Sequence, residues 1–213
     1  MENQDVAVAD IPNAFVQTKA EEGGWVIMKL RGKLAEITVL CALEIYTKYI
    51  VVENGVPVLY VHVLNALYGT LKAALLFYKK LVNDLKSQGF VLNPYDICVA
   101  NKMVNGKQLT VCWHVDDLKV SHVDTNEVTN MINWLKVTYE DKIGKMVVSR
   151  GKIHRYLGMT LDYSTSGKVK IDMVDYVKKM IEDFPEEIVA TAKTHQQQNT
   201  CLKWIKRQSN LMQ

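Results

Sequence analysis

The sequence predicts an α+β fold, an antiparallel sheet with helices on one face, organised around a split β-α-β unit. Three observations predict it. Two strand-forming runs, residues 97–104 and 107–115, are joined by Asn105-Gly106, a strong two-residue hairpin signal. Two longer stretches, residues 67–88 and 125–140, carry apolar side chains at helical spacing. Strand, helix, strand hairpin and helix then follow one another along the chain, the order such a unit requires.

Residues 5–10 read as the first strand, and Pro12 suits the start of a short helical turn. Gly23-Gly24 breaks the chain before a second strand at 25–30. Across 33–49, Leu34, Ile37, Leu40, Cys41, Leu43 and Ile45 recur at spacings that fit a helix. Residues 49–52 and 56–63 form a hairpin candidate about Glu53-Asn54-Gly55. The helix at 67–88 aligns Leu71, Leu75, Tyr78, Leu81, Val82 and Leu85 and stops at Gly89. Residues 118–122 resume a strand, and 125–140 form a helix capped by Asp124 or Thr125. Residues 146–149, 153–162 and 168–173 read as a small antiparallel sheet, and 174–183 as a helix ended by Phe184-Pro185. Residues 191–200 show no apolar period, and 201–213 are short, basic and Trp-containing.

Composition sets the class. With 213 residues, 48% hydrophobic and 23% charged, the chain is long enough for a real core and too apolar to be disordered. Twenty-six Lys and Arg against 23 Asp and Glu give +3, weak support for nucleic acid on its own. No apolar stretch reaches the roughly 18–20 residues of a membrane span and no secretory signal opens the chain, so an intracellular, cytoplasmic protein is expected. Cys41, Cys98, Cys112 and Cys201 are single, without a Cys-x-x-Cys pair, which predicts reduced thiols and argues against zinc at Cys112, His114 and His122.

Asp116-Asp117 interrupts an apolar strand run that resumes at Leu118, and Asp10 lies at the end of the first strand. Carboxylates so placed are the donors that nucleotidyl transfer uses to hold two divalent cations roughly 3.5–4 Å apart. The bland reading of an Asp-Asp pair is a solvated turn, but the buried flanks argue against it.

The block His114-Val115-Asp116-Asp117 resembles the (Tyr/Phe)-x-Asp-Asp box of reverse transcriptases, most closely its Tyr-Val-Asp-Asp form in copia-type (Pseudoviridae-like) LTR retrotransposons. Residues Asp10-Ile11-Pro12-Asn13-Ala14-Phe15 resemble the Asp-Val-x-Asn-Ala-Phe box of that family. Residues 66–78, with Leu67-Tyr68-Gly69, are similar to its Leu-Tyr-Gly-Leu-Lys-Gln-Ala-Pro-Arg-Ala-Trp-Tyr segment, and Tyr156-Leu157-Gly158-Met159 to its primer-gripping hairpin. The four boxes keep the family order from residue 5 to about residue 188.

The resemblance implies a polymerase palm with a ferredoxin-like sheet, a connecting hairpin and the start of a thumb, with fingers largely absent. It divides the chain into a palm with residual fingers elements at 1–143, a primer-grip hairpin and start of thumb at 144–188, and an irregular tail at 189–213. The tail reads either as a polar linker with a basic helix or as a frameshift product, since an alternative frame across residues 194–206 can be written that resembles the family's continuation. The implied activity is RNA-directed DNA synthesis by two-metal transfer from a dNTP to a primer 3′-hydroxyl. Asp10, Asp116 and Asp117 would be catalytic and would bind two Mg²⁺, with Mn²⁺ as a substitute.

The implied substrate contacts are Phe15, Ile11, Lys72, His114 and Val115. Phe15 falls where the family keeps a steric gate against ribonucleotides, and a plain core role is an equal reading. Lys72 stands where the family has Gln, with Ala74-Leu75 in place of Pro-Arg, so a solvated lysine is the stronger reading there. His114 replaces the usual Tyr. Tyr156, Leu157, Gly158 and Met159 would hold the primer, and Lys145, Arg150, Lys152 and Arg155 would meet phosphates or form a solvated basic face. The implied partners are an RNA/DNA template-primer, a dNTP and the rest of a Gag-Pol-type polyprotein, with no membrane partner and a virus-like particle as one destination. Without a full fingers region and an RNase H segment, weak or absent polymerisation by this chain alone is expected. The alternatives are a truncated, inactive retroelement remnant and a non-catalytic nucleic-acid-binding module, the latter poorly supported because Trp113 alone would have to stack bases.

Overall fold

The computed structural model describes residues 3–20, 26–70, 72–140 and 144–184. In chain order the elements are β1 (Asp5–Asp10), β2 (Ile27–Arg31), α1 (Lys33–Cys41), α2 (Leu43–Tyr46), β3 (Val51–Glu53), β4 (Val56–His62), α3 (Ala73–Ser87), β5 (Val91–Leu92), β6 (Val99–Val104), β7 (Lys107–His114), β8 (Asp117–His122), α4 (Thr125–Tyr139), β9 (Val147–Arg150), β10 (Ile153–Tyr156), β11 (Met159–Asp162), β12 (Lys170–Asp172) and α5 (Val174–Glu182). The chain divides into two compact units, Met1–Asp172 and Met173–Gln213. The first is a mixed α+β unit with three open sheets.

Its main sheet has the order β5-β6-β7-β8-β1-β9 and is antiparallel throughout. Strand β1 is covered on both faces, which its unbroken run Val6-Ala7-Val8-Ala9 suits. Alternation sends Ala7, Ala9, Val111, Trp113, Leu118 and Val120 to one face, where they meet Phe77, Leu81 and Leu85 of α3 and Val128, Ile132 and Leu135 of α4. Each such large side chain contributes about 1.5–3 kcal/mol on burial. The opposite face carries Val8 and Cys112, which pack with Tyr156 and Leu161 from the small sheet β10-β11-β12. The third sheet, β2-β4-β3, packs Leu30 and Leu59 against Ala35 and Val39 of α1.

Local chemistry fixes the joints. Asp124 is the cap of α4, its Oδ1 accepting the Asn126 N–H at 2.8 Å, worth about 1 kcal/mol. The Tyr139 hydroxyl donates to Asp84 Oδ2 at 2.7 Å, and Lys80 pairs with the same oxygen at 2.7 Å, so α3 and α4 share one buried-end latch. Asn54-Gly55 and Asn105-Gly106 both have positive φ at both residues, the conformation of a type I′ hairpin turn.

Several elements differ from the sequence expectation. The helix expected at 67–88 begins at Ala73, because Gly69 (φ 86°) and the Thr70 hydroxyl bonded to the Leu67 carbonyl make a turn there instead; Leu71 lies outside the described residues. The segment 33–49 is not one helix: it breaks at Ala42 (φ −153°, ψ 67°) into α1, α2 and a 3₁₀ turn, Thr47–Tyr49. Its predicted apolar stripe also faces outward. Leu34, Ile37, Leu40, Leu43 and Ile45 are exposed, while the smaller Ala35 and Val39 meet the sheet. The strand expected at 146–149 does not join a small sheet but pairs with β1 as the edge of the main one. The run 153–162 is a hairpin, since Leu157 (φ 50°) and Gly158 (φ 78°) form a two-residue turn.

In the second unit, α5 is amphipathic, with Val174, Val177, Met180 and Ile181 exposed. The Phe184-Pro185 stop and the tail at 189–213 extend into residues outside those described. No helix among the described residues is long and apolar enough to cross a membrane.

Candidate active site

Strand register brings the acidic residues together. Asp10 is the last residue of β1 and lies directly opposite Asp117, the first residue of β8. Asp117 in turn faces His114 across the β7–β8 hairpin. Directly opposed residues of antiparallel strands share a face, with Cβ atoms about 4.5–5.5 Å apart. His114, Asp117 and Asp10 therefore form one row on the face away from α3 and α4. Asp116 occupies the hairpin turn, and its carbonyl accepts the Ile11 N–H at 3.0 Å, which pins the turn to the end of β1.

The turn is strained. Val115 has φ 58°, in the left-handed region that a β-branched residue rarely enters and that costs roughly 1–3 kcal/mol. It is the first of two residues linking β7 to β8, the position where such turns favour glycine.

Electrostatics report the same convergence. Partial burial, then the charges of Asp116 and Asp117, push the Asp10 carboxyl above its ordinary value. Burial followed by Asp116 raises Asp117, with His114 acting in the opposite direction. Three carboxylates thus repel one another at the end of two adjacent strands. Among the described residues, however, no group of three or more His, Cys, Asp or Glu side chains is arranged to hold a metal ion as it stands. The donors have the chemistry for a hard cation: Mg²⁺ commonly uses one or two carboxylates and completes its shell with substrate phosphates and water.

Phe15 lies in the 3₁₀ turn that follows β1, half-buried, its ring centroid 4.4 Å from Tyr68 and 6.4 Å from the core residue Phe77. Tyr68 is more than half exposed, and its hydroxyl pKa is raised by burial, then by Asp116 and, more weakly, by Asp10, against the backbone N–H groups of Phe15 and Ala14. Ile11 is buried, so only its backbone can reach a ligand. Lys72 is exposed at the start of α3.

The four residues of the hairpin box separate by role. Tyr156 and Met159 pack inward with Leu161 and Cys112, the Tyr156 hydroxyl lying 3.9 Å from Cys112 Sγ. Leu157 and Gly158 form the exposed turn. Burial, then Cys112, raise the Tyr156 hydroxyl pKa, and Asp117 adds to the same effect, so this ring sits within electrostatic reach of the acidic row. Of the four basic residues, Arg150 is ion-paired with Asp5, Lys145 lies 3.5 Å from Glu140, Lys152 lines a cleft of about 460 Å³ formed with residues 163–169, and Arg155 is exposed on β10.

Three residues that hold the site were not singled out from the sequence. Tyr68 stood only as part of a family box, although a tyrosine before the turn glycine Gly69 is a detectable signal of a presented ring. Gln17 donates from Nε2 to the Pro12 carbonyl at 2.7 Å and the Tyr139 carbonyl at 2.9 Å, tying the turn after Asp10 to the end of α4. Gly144 packs so tightly that a Cβ there would lie 2.6 Å from Pro12 Cβ. Neither contact leaves a mark in local sequence.

Comparison with known proteins adds no identification. No family model matches the chain, and no curated protein matches it.

Proposed function

We propose that the chain is the palm of an RNA-directed DNA polymerase, acting by two-metal phosphoryl transfer from a dNTP to a primer 3′-hydroxyl. The observation that supports this most is the register of β1 against β8, which sets Asp10 opposite Asp117 beside Asp116 in a strained, pinned turn. Asp10, Asp116 and Asp117 would hold the cations. When bound, two Mg²⁺, or Mn²⁺ in their place, neutralise the triphosphate and lower the pKa of the attacking hydroxyl.

The protein's own share is placement. The β7–β8 turn carries Asp116 and Asp117 on a backbone pinned to the end of β1, which would reduce the reorganisation required at reaction. Phe15, in the 3₁₀ turn that follows β1, would serve the sugar of a nucleotide held at the acids. The exposed Leu157-Gly158 turn is the part of the hairpin box free to approach a primer backbone, Gly158 allowing close contact. A template-primer, a dNTP and the remainder of a Gag-Pol-type polyprotein are the partners this reading assigns.

The alternative reading is an inactive retroelement remnant that keeps the fold. Primer extension on poly(rA)/oligo(dT) with Mg²⁺ separates them. Product made by the wild type and lost in Asp116→Asn supports the polymerase; no wild-type product, or equal product from both, favours the remnant.

A further inference from the structure

We propose that Tyr68 determines sugar specificity at this site, its ring clamping Phe15 and forming the exposed wall against which the nucleotide sugar rests. The inference rests on the polymerase reading above and goes beyond it, because it moves the discriminating surface from one ring to a pair.

Phe15 is enclosed on one side by Phe77, which is 1% exposed and part of the main core. It also stacks against Tyr68, with ring centroids 4.4 Å apart and planes tilted by 35°. Tyr68 itself is 54% exposed, so of these three rings it presents the largest share of its surface to solvent. A ligand held by Asp10 and Asp116 would meet this pair, and the hydroxyl of Tyr68 already lies in the field of both acids.

An exposed ring discriminates best on a fixed backbone, and the backbone on either side of Tyr68 is tied down. The segment before it is stapled to the turn that carries Phe15: Asn65 Nδ2 donates to the Val16 carbonyl at 2.7 Å, and the Ala66 N–H donates to the Thr18 carbonyl at 2.9 Å. The segment after it closes at once through Gly69 (φ 86°) and the Thr70 hydroxyl, which donates to the Leu67 carbonyl at 2.8 Å. The segment that carries Tyr68 is therefore bonded to the turn that carries Phe15, directly after β1. Removing the Tyr68 ring would leave Phe15 free to turn away and would open room beside the sugar for a 2′-hydroxyl.

The test is equilibrium binding of dATP and ATP to the full chain with Mg²⁺ and a dideoxy-terminated primer on a poly(dT) template, by titration calorimetry. Wild type should prefer dATP by roughly tenfold or more, the scale of steric discrimination by a shaped pocket. Tyr68→Ala should bring the two affinities within about twofold, and Tyr68→Phe, which keeps the ring, should restore the preference. Adding Phe15→Val to Tyr68→Ala should cost little more, because the two rings act as a unit. Tyr68→Leu, checked for folding by its thermal melt, serves as the second truncation. A preference retained by both truncations, with binding still lost in Asp116→Asn, overturns the role of Tyr68 and leaves the polymerase reading in place. Binding that is absent in wild type, or indifferent to Asp10→Asn and Asp116→Asn, overturns the polymerase reading and this inference with it.

Discussion

Asp117 is held in a position that costs the fold stability at neutral pH. Its pKa and that of Asp10 are raised in the native state by burial and by neighbouring carboxylates. For an acid whose folded pKa lies above its unfolded one, the native state binds protons more tightly, so stability falls as pH rises from the ordinary value of 3.8 through the raised native one. Above that window the penalty is fully present, and below 3.8 it is gone. Asp117→Asn should therefore melt at a higher temperature than wild type at pH 7, with the gap narrowing as the pH approaches and passes below 3.8. Melting curves across that range check it; a gap independent of pH would mean that burial and the neighbouring carboxylate do not raise Asp117. Val115 adds a second local cost, and strain of this kind persists only where the surroundings enforce it. Here the Ile11–Asp116 bond and the continuous strands on both sides do so.

Among elements, Gly144 before β9 and Gln17 after β1 brace the turn that follows the acid-bearing strand. Gly144 lies against Pro12, two residues past Asp10, and Gln17 bonds that same Pro12 and the end of α4. Gly144→Ala forces a methyl to within 2.6 Å of a ring carbon that cannot swing away, and overpacking of this kind costs about 1–3 kcal/mol. Chemical denaturation should record that loss; an unchanged midpoint would show that the contact between Gly144 and Pro12 relaxes without cost. Strands were the elements most legible in sequence. Alternation and the Asn105-Gly106 turn located β6, β7 and β8 to within two residues, because period-two patterning is local chemistry. The segment 33–49 was misread because helical spacing was counted on its largest apolar residues, whereas the sheet β2-β4-β3 accepts the smaller Ala35 and Val39. The start of α3 was placed early because Gly69 sits in a turn that contacts to residues 15–19 hold in place, information that no window around residue 69 contains.

At the scale of the molecule, the first unit places one sheet between two coverings, helices α3 and α4 on one face and part of the β10-β11-β12 sheet on the other. The acidic row lies at the end of that sheet where β1, β7 and β8 meet. The aspartates were legible in sequence because each interrupts or ends an apolar run, a pattern that solvated turns do not require. Their neighbours were not. Tyr68, Gln17 and Gly144 reach the site through contacts across 53, 122 and 132 residues of chain respectively, distances at which sequence pattern carries no signal. The central claim is that three distant carboxylates act as one cation site, and Mn²⁺ binding in the presence of dTTP, read from the electron paramagnetic resonance of the free ion, tests it most directly. Wild type should bind Mn²⁺ with the nucleotide, and Asp10→Asn and Asp116→Asn should each weaken that binding by at least about tenfold, no less than the loss from mutating residues that merely support a metal's ligands. Equal binding by the wild type and both variants would contradict the claim.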